Sequence, residues 1–427
     1  MTFTDRDAKG RPIVVVTGMG VLTALGTGKE DNWRALTAGK SGIRRISRFP
    51  VDGLRTTVAG TVDFVAIEEP TAADLTERMA EIVIDEAVAE AKIGRRGDFP
   101  GPLCIAVPPI EFDWPQRRAL AAASGATGTI RYADLLRAAG TGDFARWYER
   151  FLFGSFAEHL ADRFGTKGSP ISTSTACASG GTAIQLGVEA IRRGEAEAAL
   201  CVGTDASVTQ ESLIRFSLLS ALSSRNDPPE SAARPFSKDR DGFVMAEGAG
   251  ALVLESRARA RARGATILGV VEGCGEMADS FHRTRSSPDG KPIIACIARA
   301  LADASAEPGT IGYINAHGTG TPENDKMEWL GVATVFGERA PTIPISSNKS
   351  MIGHTLTAAG AVEAVFTLLA MRHGRLPPTI NYDIPDPALP LDCVPNVARD
   401  ATVTRALSNS FGFGGQNVSV VLGAPPD

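Results

Sequence analysis

The chain has 427 residues, 43% of them hydrophobic, and a formal net charge of −5 at pH 7. This is enough for two core-sized units, and the acidic balance argues against nucleic acid as the main partner. Six cysteines (Cys104, Cys177, Cys201, Cys274, Cys296 and Cys393) are scattered without CxxC spacing, which points to a reducing cytosol rather than a disulfide framework or a zinc motif.

The amino terminus, MTFTDRDAKGR, is polar and reads as lacking a signal peptide. No apolar run approaches the ~18–20 residues of a membrane span, so the expected compartment is the cytoplasm. Strand-like and helical patterns then alternate, which predicts an α/β layered architecture. Ile13–Val16 reads as a buried strand closed by Thr17-Gly18-Met19-Gly20. From about Pro108 to Gly168 the rhythm breaks, with Pro108-Pro109, Trp114-Pro115 and Trp147. This stretch reads as an insertion above the active site or at a subunit contact.

A helix is predicted over Ala178–Arg193, ended by Gly194, followed by strands at Ala198–Val202 and Ala249–Leu254. The arginine-alternating run 255–263 reads as a solvated helix capped by Gly264. The pattern restarts with a strand at Ile267–Val271, a helix at Lys291–Ala304, a strand at Ile311–Ile314 and a helix at Ala358–Met371. Two halves, 1–260 and 261–427, each supply a reactive motif at an element end, as an internal duplication would.

Cys177, in Ser-Thr-Ala-Cys-Ala-Ser-Gly-Gly, precedes the predicted Ala178–Arg193 helix. Unpaired N–H groups and the helix dipole favour a thiolate there, and small neighbours admit a bulky thioester. The other reading is a buried core cysteine. Only five histidines are present, and two sit beside glycines at element ends: His317 in NAHGTGTP and His354 in NKSMIGHTLTAAG. Their wide separation and the lack of nearby paired carboxylates argue against zinc. A cysteine nucleophile with two imidazole N–H donors suits thioester chemistry, with the donors holding an enolate oxygen. Lys349 is a candidate charge partner for Glu328. The glycines of SNSFGFGGQN (408–417) allow a concave row of N–H groups around Phe411 and Phe413.

TACASG, NAHGTGTP, NKSMIGHTLTAAG and NSFGFGG, in that order, resemble the elongating β-ketoacyl-[acyl-carrier-protein] synthases of the thiolase-like superfamily. The likeness runs from VVVTGMGVLTALG through RPFSKDRDGFVMAEGAG to the carboxyl terminus and is weakest over 104–168. It implies a five-layered α/β/α/β/α fold built from two pseudo-repeats. It also implies that Cys177 carries the acyl chain, that His317 and His354 promote malonyl decarboxylation, and that Lys349 paired with Glu328 supports them. Phe413 then matches the gating phenylalanine, and the N–H groups of Cys177 and Phe413 the oxyanion hole. Asn315, Glu363, Ser408 and Asn409 fall where some members hold a structural sodium or potassium ion; no organic cofactor is implied. The implied partners are an acyl carrier protein and acyl and malonyl thioesters, in a homodimer or a heterodimer with a paralogue. The alternative is a non-catalytic partner subunit, and those lack the cysteine that this chain has.

Two departures bear on substrate. Where the family has a glycine-rich segment lining the acyl pocket, this chain has Ala106-Val-Pro-Pro-Ile-Glu-Phe112, whose prolines cannot copy a glycine loop. Ala73–Arg78 is less basic than in relatives, and Ser220 stands where arginine is common, which implies a specialised carrier or a different docking patch. A fainter resemblance to paralogues that build very long acyl chains for lipid A in some α-proteobacteria fits both.

Overall fold

The computed structural model describes residues 5–68, 71–94 and 97–426; the first four residues of the polar amino terminus lie outside it. The first half comprises β1 (Val14–Thr23), α1 (Ala72–Ala91), β2 (Leu103–Ala106), then α2 (Trp114–Ala123), α3 (Tyr132–Ala139), α4 (Ala145–Arg150) and α5 (Ser155–Phe164). It continues with β3 (Ile171–Thr173), α6 (Ser179–Arg192), β4 (Ala198–Asp205), α7 (Gln210–Leu218) and β5 (Gly248–Ser256). After the short α8 (Arg257–Ala262) come β6 (Gly269–Ala278), α9 (Lys291–Asp303), β7 (Tyr313–Asn315), α10 (Pro322–Phe336) and β8 (Pro344–Ser346). The chain ends with α11 (Lys349–Ile352), α12 (Ala359–His373), β9 (Asp392–Cys393), β10 (Arg405–Phe411) and β11 (Gln416–Gly423).

The two halves repeat one pairing scheme. From the seam outward the first runs β1-β5-β4-β2-β3, antiparallel twice and then parallel twice. The second runs β6-β11-β10-β7-β8, with the same sequence of directions, and β9 is added parallel at its edge. Val14–Val16 pairs with Gly269–Val271 to join them. This topology is what an internal duplication predicts.

Five layers follow from which faces are apolar. The α1 helix covers β1, β5 and β4 on the outside, and α9, backed by α10, covers β6 and β11. Between the sheets lie α6 and α12, which touch each other and strands of both halves. Residues 359–371 of α12 are all buried, so this helix reads as apolar on every side, which a central layer demands. The two middle helices meet almost backbone to backbone: a Cβ on Gly360 would lie 2.4 Å from the Gly181 nitrogen, and one on Gly180 2.5 Å from the Ala361 nitrogen.

Three local expectations change. Glu255 remains in β5, fully buried, and accepts from Thr17 at 2.6 Å and from Arg263 at 2.5 Å, with Arg259 3.4 Å away. The arginine-rich run therefore neutralises a buried carboxylate, and its helix is only Arg257–Ala262, capped by Ser256. The strand predicted at Ile267 starts at Gly269. The stretch 108–168 is four short helices rather than a loop, and α5 buries Phe156, Leu160 and Phe164 against α1 and the first sheet. Among the described residues no helix is long and apolar enough to cross a membrane, and all six cysteines are free and buried.

Candidate active site

Cys177 lies between the end of β3 and the first turn of α6. Ala176, just before it, adopts a left-handed φ of 49°, an uncommon conformation for alanine that turns the chain sharply there. Ser179 fixes the turn, donating to the Ala176 carbonyl at 2.5 Å and accepting from the Thr175 N–H at 2.7 Å. Cys177 is 8% exposed. Burial pushes its thiol up to about 11, although the N–H groups of Phe413 and Cys177 itself face the sulfur and Lys349 is nearby. The expected thiolate is thus corrected: desolvation outweighs the helix terminus, and the resting group is a thiol.

The second half supplies both imidazoles. His354 follows α11, and its Nε2 lies 3.1 Å from the Cys177 sulfur. Its Nδ1 accepts the Leu356 N–H at 3.3 Å, so the ring proton sits on Nε2 and faces the sulfur. His317 follows β7, and its Nδ1 faces the Lys349 ammonium at 3.4 Å, which again places the proton on Nε2. The rings meet edge to face with centroids 5.2 Å apart. Burial, and then the charge of Lys349, hold both imidazoles well below their usual range, so both are neutral. Cys177, His317 and His354 bring their ligating atoms within 4.8 Å of one another, so distance in the sequence was no guide to a metal site. The tautomers are what decide: His354 presents an N–H group, not a lone pair, to the sulfur, and Nε2 of His317 carries its proton as well.

The predicted Lys349–Glu328 pair does not form. Lys349 donates instead to Glu363 on α12, and both are almost fully buried. Glu328, on α10, accepts the N–H groups of His317 at 2.8 Å and Gly318 at 2.7 Å, and Asn409 Nδ2 at 3.1 Å. It anchors the His317 turn, while Lys349–Glu363 sets the tautomer of His317. Burial raises each carboxyl to about 7.

Phe413 sits at the cavity beside Cys177, next to Phe243 at 6.5 Å between centroids, and Phe243 lies edge-on to His354 at 5.3 Å. Phe411 is buried against His317, with centroids 6.0 Å apart. Gly412 must lack a side chain, since a Cβ would fall 2.9 Å from the Thr175 carbonyl. Phe216 and Phe243 escaped the sequence reading, as did Thr319 and Thr321, which line the same cavity as Cys177 and both histidines. Asp205, on β4, also escaped it. Its carboxylate accepts the Thr357 N–H at 3.0 Å and hydroxyl at 2.7 Å, holding the turn after His354.

The four residues implied for a monovalent cation fit unevenly. Asn315 Oδ1 and Glu363 Oε2 are buried without a hydrogen-bond partner, oxygens that suit a hard cation. The Asn409 side chain is already engaged at both ends, by Glu328 and Ser419. Ser408 is buried on β10 beside Asn315.

The family "Beta-ketoacyl synthase, N-terminal domain" matches residues 11–96 and 114–260, and "Beta-ketoacyl synthase, C-terminal domain" matches 268–383. A 3-oxoacyl-[acyl-carrier-protein] synthase 2 of Synechocystis sp. is 38% identical, with 96% of this chain and 97% of that one covered. The tetracenomycin polyketide synthase ketoacyl synthase alpha subunit of Streptomyces glaucescens is 36% identical, with 97% of each covered. Among solved structures, a ketosynthase in complex with its type II polyketide acyl-carrier protein superposes with a TM-score of 0.85 at 33% identity, covering 97% of this chain and 100% of that one. A β-ketoacyl synthase from Burkholderia phymatum gives 0.83 at 32%, with the same coverage. The chain belongs to the β-ketoacyl synthase family.

Proposed function

We propose that the protein is a 3-oxoacyl-[acyl-carrier-protein] synthase that lengthens acyl chains by decarboxylative Claisen condensation. The observation that carries this reading is a buried thiol with the His354 Nε2–H and the Phe413 N–H against it, and a second neutral imidazole, His317, within 4.8 Å of both side chains. In the first step the Cys177 sulfur attacks an acyl thioester, and the thiol proton leaves with the departing carrier thiolate. The N–H groups of Cys177 and Phe413 stabilise the tetrahedral oxyanion. In the second step a malonyl thioester places its carbonyl oxygen against His317 and His354. The C–C bond to the carboxylate breaks, CO2 leaves, and its electron pair forms an enolate held by the two N–H groups. The enolate carbon attacks the acyl carbonyl, the Cys177 thiolate departs, and the sulfur takes up a proton. Its raised pKa favours that return to the thiol. The product is a 3-oxoacyl thioester two carbons longer than the acyl group.

The partner under this reading is an acyl carrier protein. His282 and Arg285 line the cavity that holds Cys177, and Arg283 stands exposed between them, a mouth that suits an anionic prosthetic arm. A sodium or potassium ion at Asn315 and Glu363 would offset buried negative charge there and take no part in bond making. Ile171 is exposed on β3, the end strand of the sheet, and a second copy pairing there would give a homodimer. Six free buried cysteines support a reducing, cytoplasmic location. The intact Cys-His-His set leaves the partner-subunit reading without an observation of its own.

Intact-mass measurement after incubation with acyl carrier proteins tests the first step. A gain of one acyl group in the wild type, absent in Cys177→Ala, is expected. Malonyl decarboxylation that survives unchanged in both His317→Ala and His354→Ala would remove the histidines from their role.

A further inference from the structure

We propose that an ion-pair latch between the segment 108–117 and helix α7 closes the outer end of the acyl cavity and sets the longest chain that Cys177 carries. This rests on the acyl-thioester reading above. Cys177 and Phe413 open into a second cavity of about 400 Å³, walled by Pro108, Pro109, Phe112, Phe216 and Leu219. Glu111 and Arg215 also line it, but they are exposed where Cys177 is buried, so they form its outer end.

The latch has two strands of charge. Arg215 grips Glu111 in a two-pronged pair, Nη1 to Oε1 and Nη2 to Oε2, each at 2.5 Å. Arg117 at the start of α2 lies 3.4 Å from Glu211 Oε1 and 3.7 Å from Glu111 Oε2. Glu111 and Arg117 come from the segment; Glu211 and Arg215 come from α7. Such forked pairs are directional as well as strong. The inner side of the wall is also fixed: Asp113 accepts the Ala72 N–H at 2.8 Å, at the start of α1, and the two prolines stiffen the approach.

A hydrocarbon tail growing outward from Cys177 meets apolar walls and then these paired charged side chains at the cavity's outer end. Its methyl end offers nothing to replace the ion pairs, and stripping them of partners is unfavourable. An enclosed cavity of about 150 Å³ holds a benzene ring, so about 400 Å³ admits about sixteen carbons. Very long chains would need the latch to move. Residues 97–113, which supply Glu111 and the prolines, lie outside the family match, whereas Arg117, Glu211 and Arg215 lie within it.

The test is acylation of Cys177, read by intact mass across carrier-bound chains of graded length. It compares the wild type, Arg215→Ala, Glu111→Gln as a milder second opening, and Arg215→Lys, which keeps the charge and one hydrogen bond to Glu111. Removing the arginine side chain frees roughly 100 Å³, so Arg215→Ala should raise the limit by about four carbons. Glu111→Gln should raise it less, and Arg215→Lys should leave it close to the wild-type value. An unmoved limit in both opening variants overturns the latch while leaving the condensing reading intact. A wild type that takes no acyl group of any length overturns that reading and the latch with it.

Discussion

Glu328→Gln offers the sharpest test of how the site is held. Glu328 is fully buried, and its carboxyl is raised from 4.5 to about 7 because desolvation outweighs the three N–H donors around it. A folded-state pKa above the unfolded value means that the native protein holds this proton more tightly. Its contribution to stability is therefore complete below pH 4.5, is lost as pH rises towards 7, and is flat above. The shift corresponds to about 3 kcal/mol at about 1.4 kcal/mol per unit. Glutamine cannot ionise, so the variant lacks this loss. It also turns an NH2 towards one of the N–H groups of His317, Gly318 or Asn409, leaving that donor unpaired at a cost of ~1–3 kcal/mol. Urea denaturation at pH 5, 6, 7 and 8 should show the variant less stable at pH 5, with the gap to wild type closing by about 3 kcal/mol by pH 8. Malonyl decarboxylation should fall roughly 10–100-fold as His317 loses its anchor. Parallel stability profiles for the two proteins would refute the assignment of a buried, raised carboxyl.

The free thiol of Cys177, at about 11, should be alkylated by iodoacetamide at a rate that climbs about tenfold per pH unit from 6 to 9; a plateau below pH 8 would mean a thiolate after all. Gly360→Ala should lose ~1–3 kcal/mol in urea denaturation, because a Cβ 2.4 Å from the Gly181 nitrogen forces α6 and α12 apart. Wild-type stability would show that the middle layer tolerates a wider spacing.

Much of the site was legible because its chemistry sits at element ends that glycines mark. The helix after Cys177 and the glycine-flanked Phe413 stand where their patterns place them, and the strand before His317 is present but runs Tyr313–Asn315, starting two residues late. What failed was whatever depends on the third dimension. Glu328 and Glu363 are both acids near the right motifs, and only packing shows that Lys349 reaches the one on α12. The helix terminus ahead of Ser179 is visible in the sequence, whereas the burial that overrides it is made by residues hundreds of positions away. The helices of 108–168 are short, and α4 has only six residues, too few for a repeating apolar face to be recognised. The Glu111–Arg215 contact joins a residue of an irregular stretch to one on α7, with no pattern in the sequence linking them.

The division of the site between the halves also has a consequence for synthesis. β1, made first, pairs only with the two-residue strand Gly26–Thr27 until β5 and β6 have emerged, and Cys177 has no imidazole beside it until the histidines of the second half have emerged and α12 has docked. Such distant pairings form late. A nascent or truncated chain therefore lacks the paired imidazole N–H donors of the finished site, and condensation by unfinished protein is avoided by the order of the fold itself.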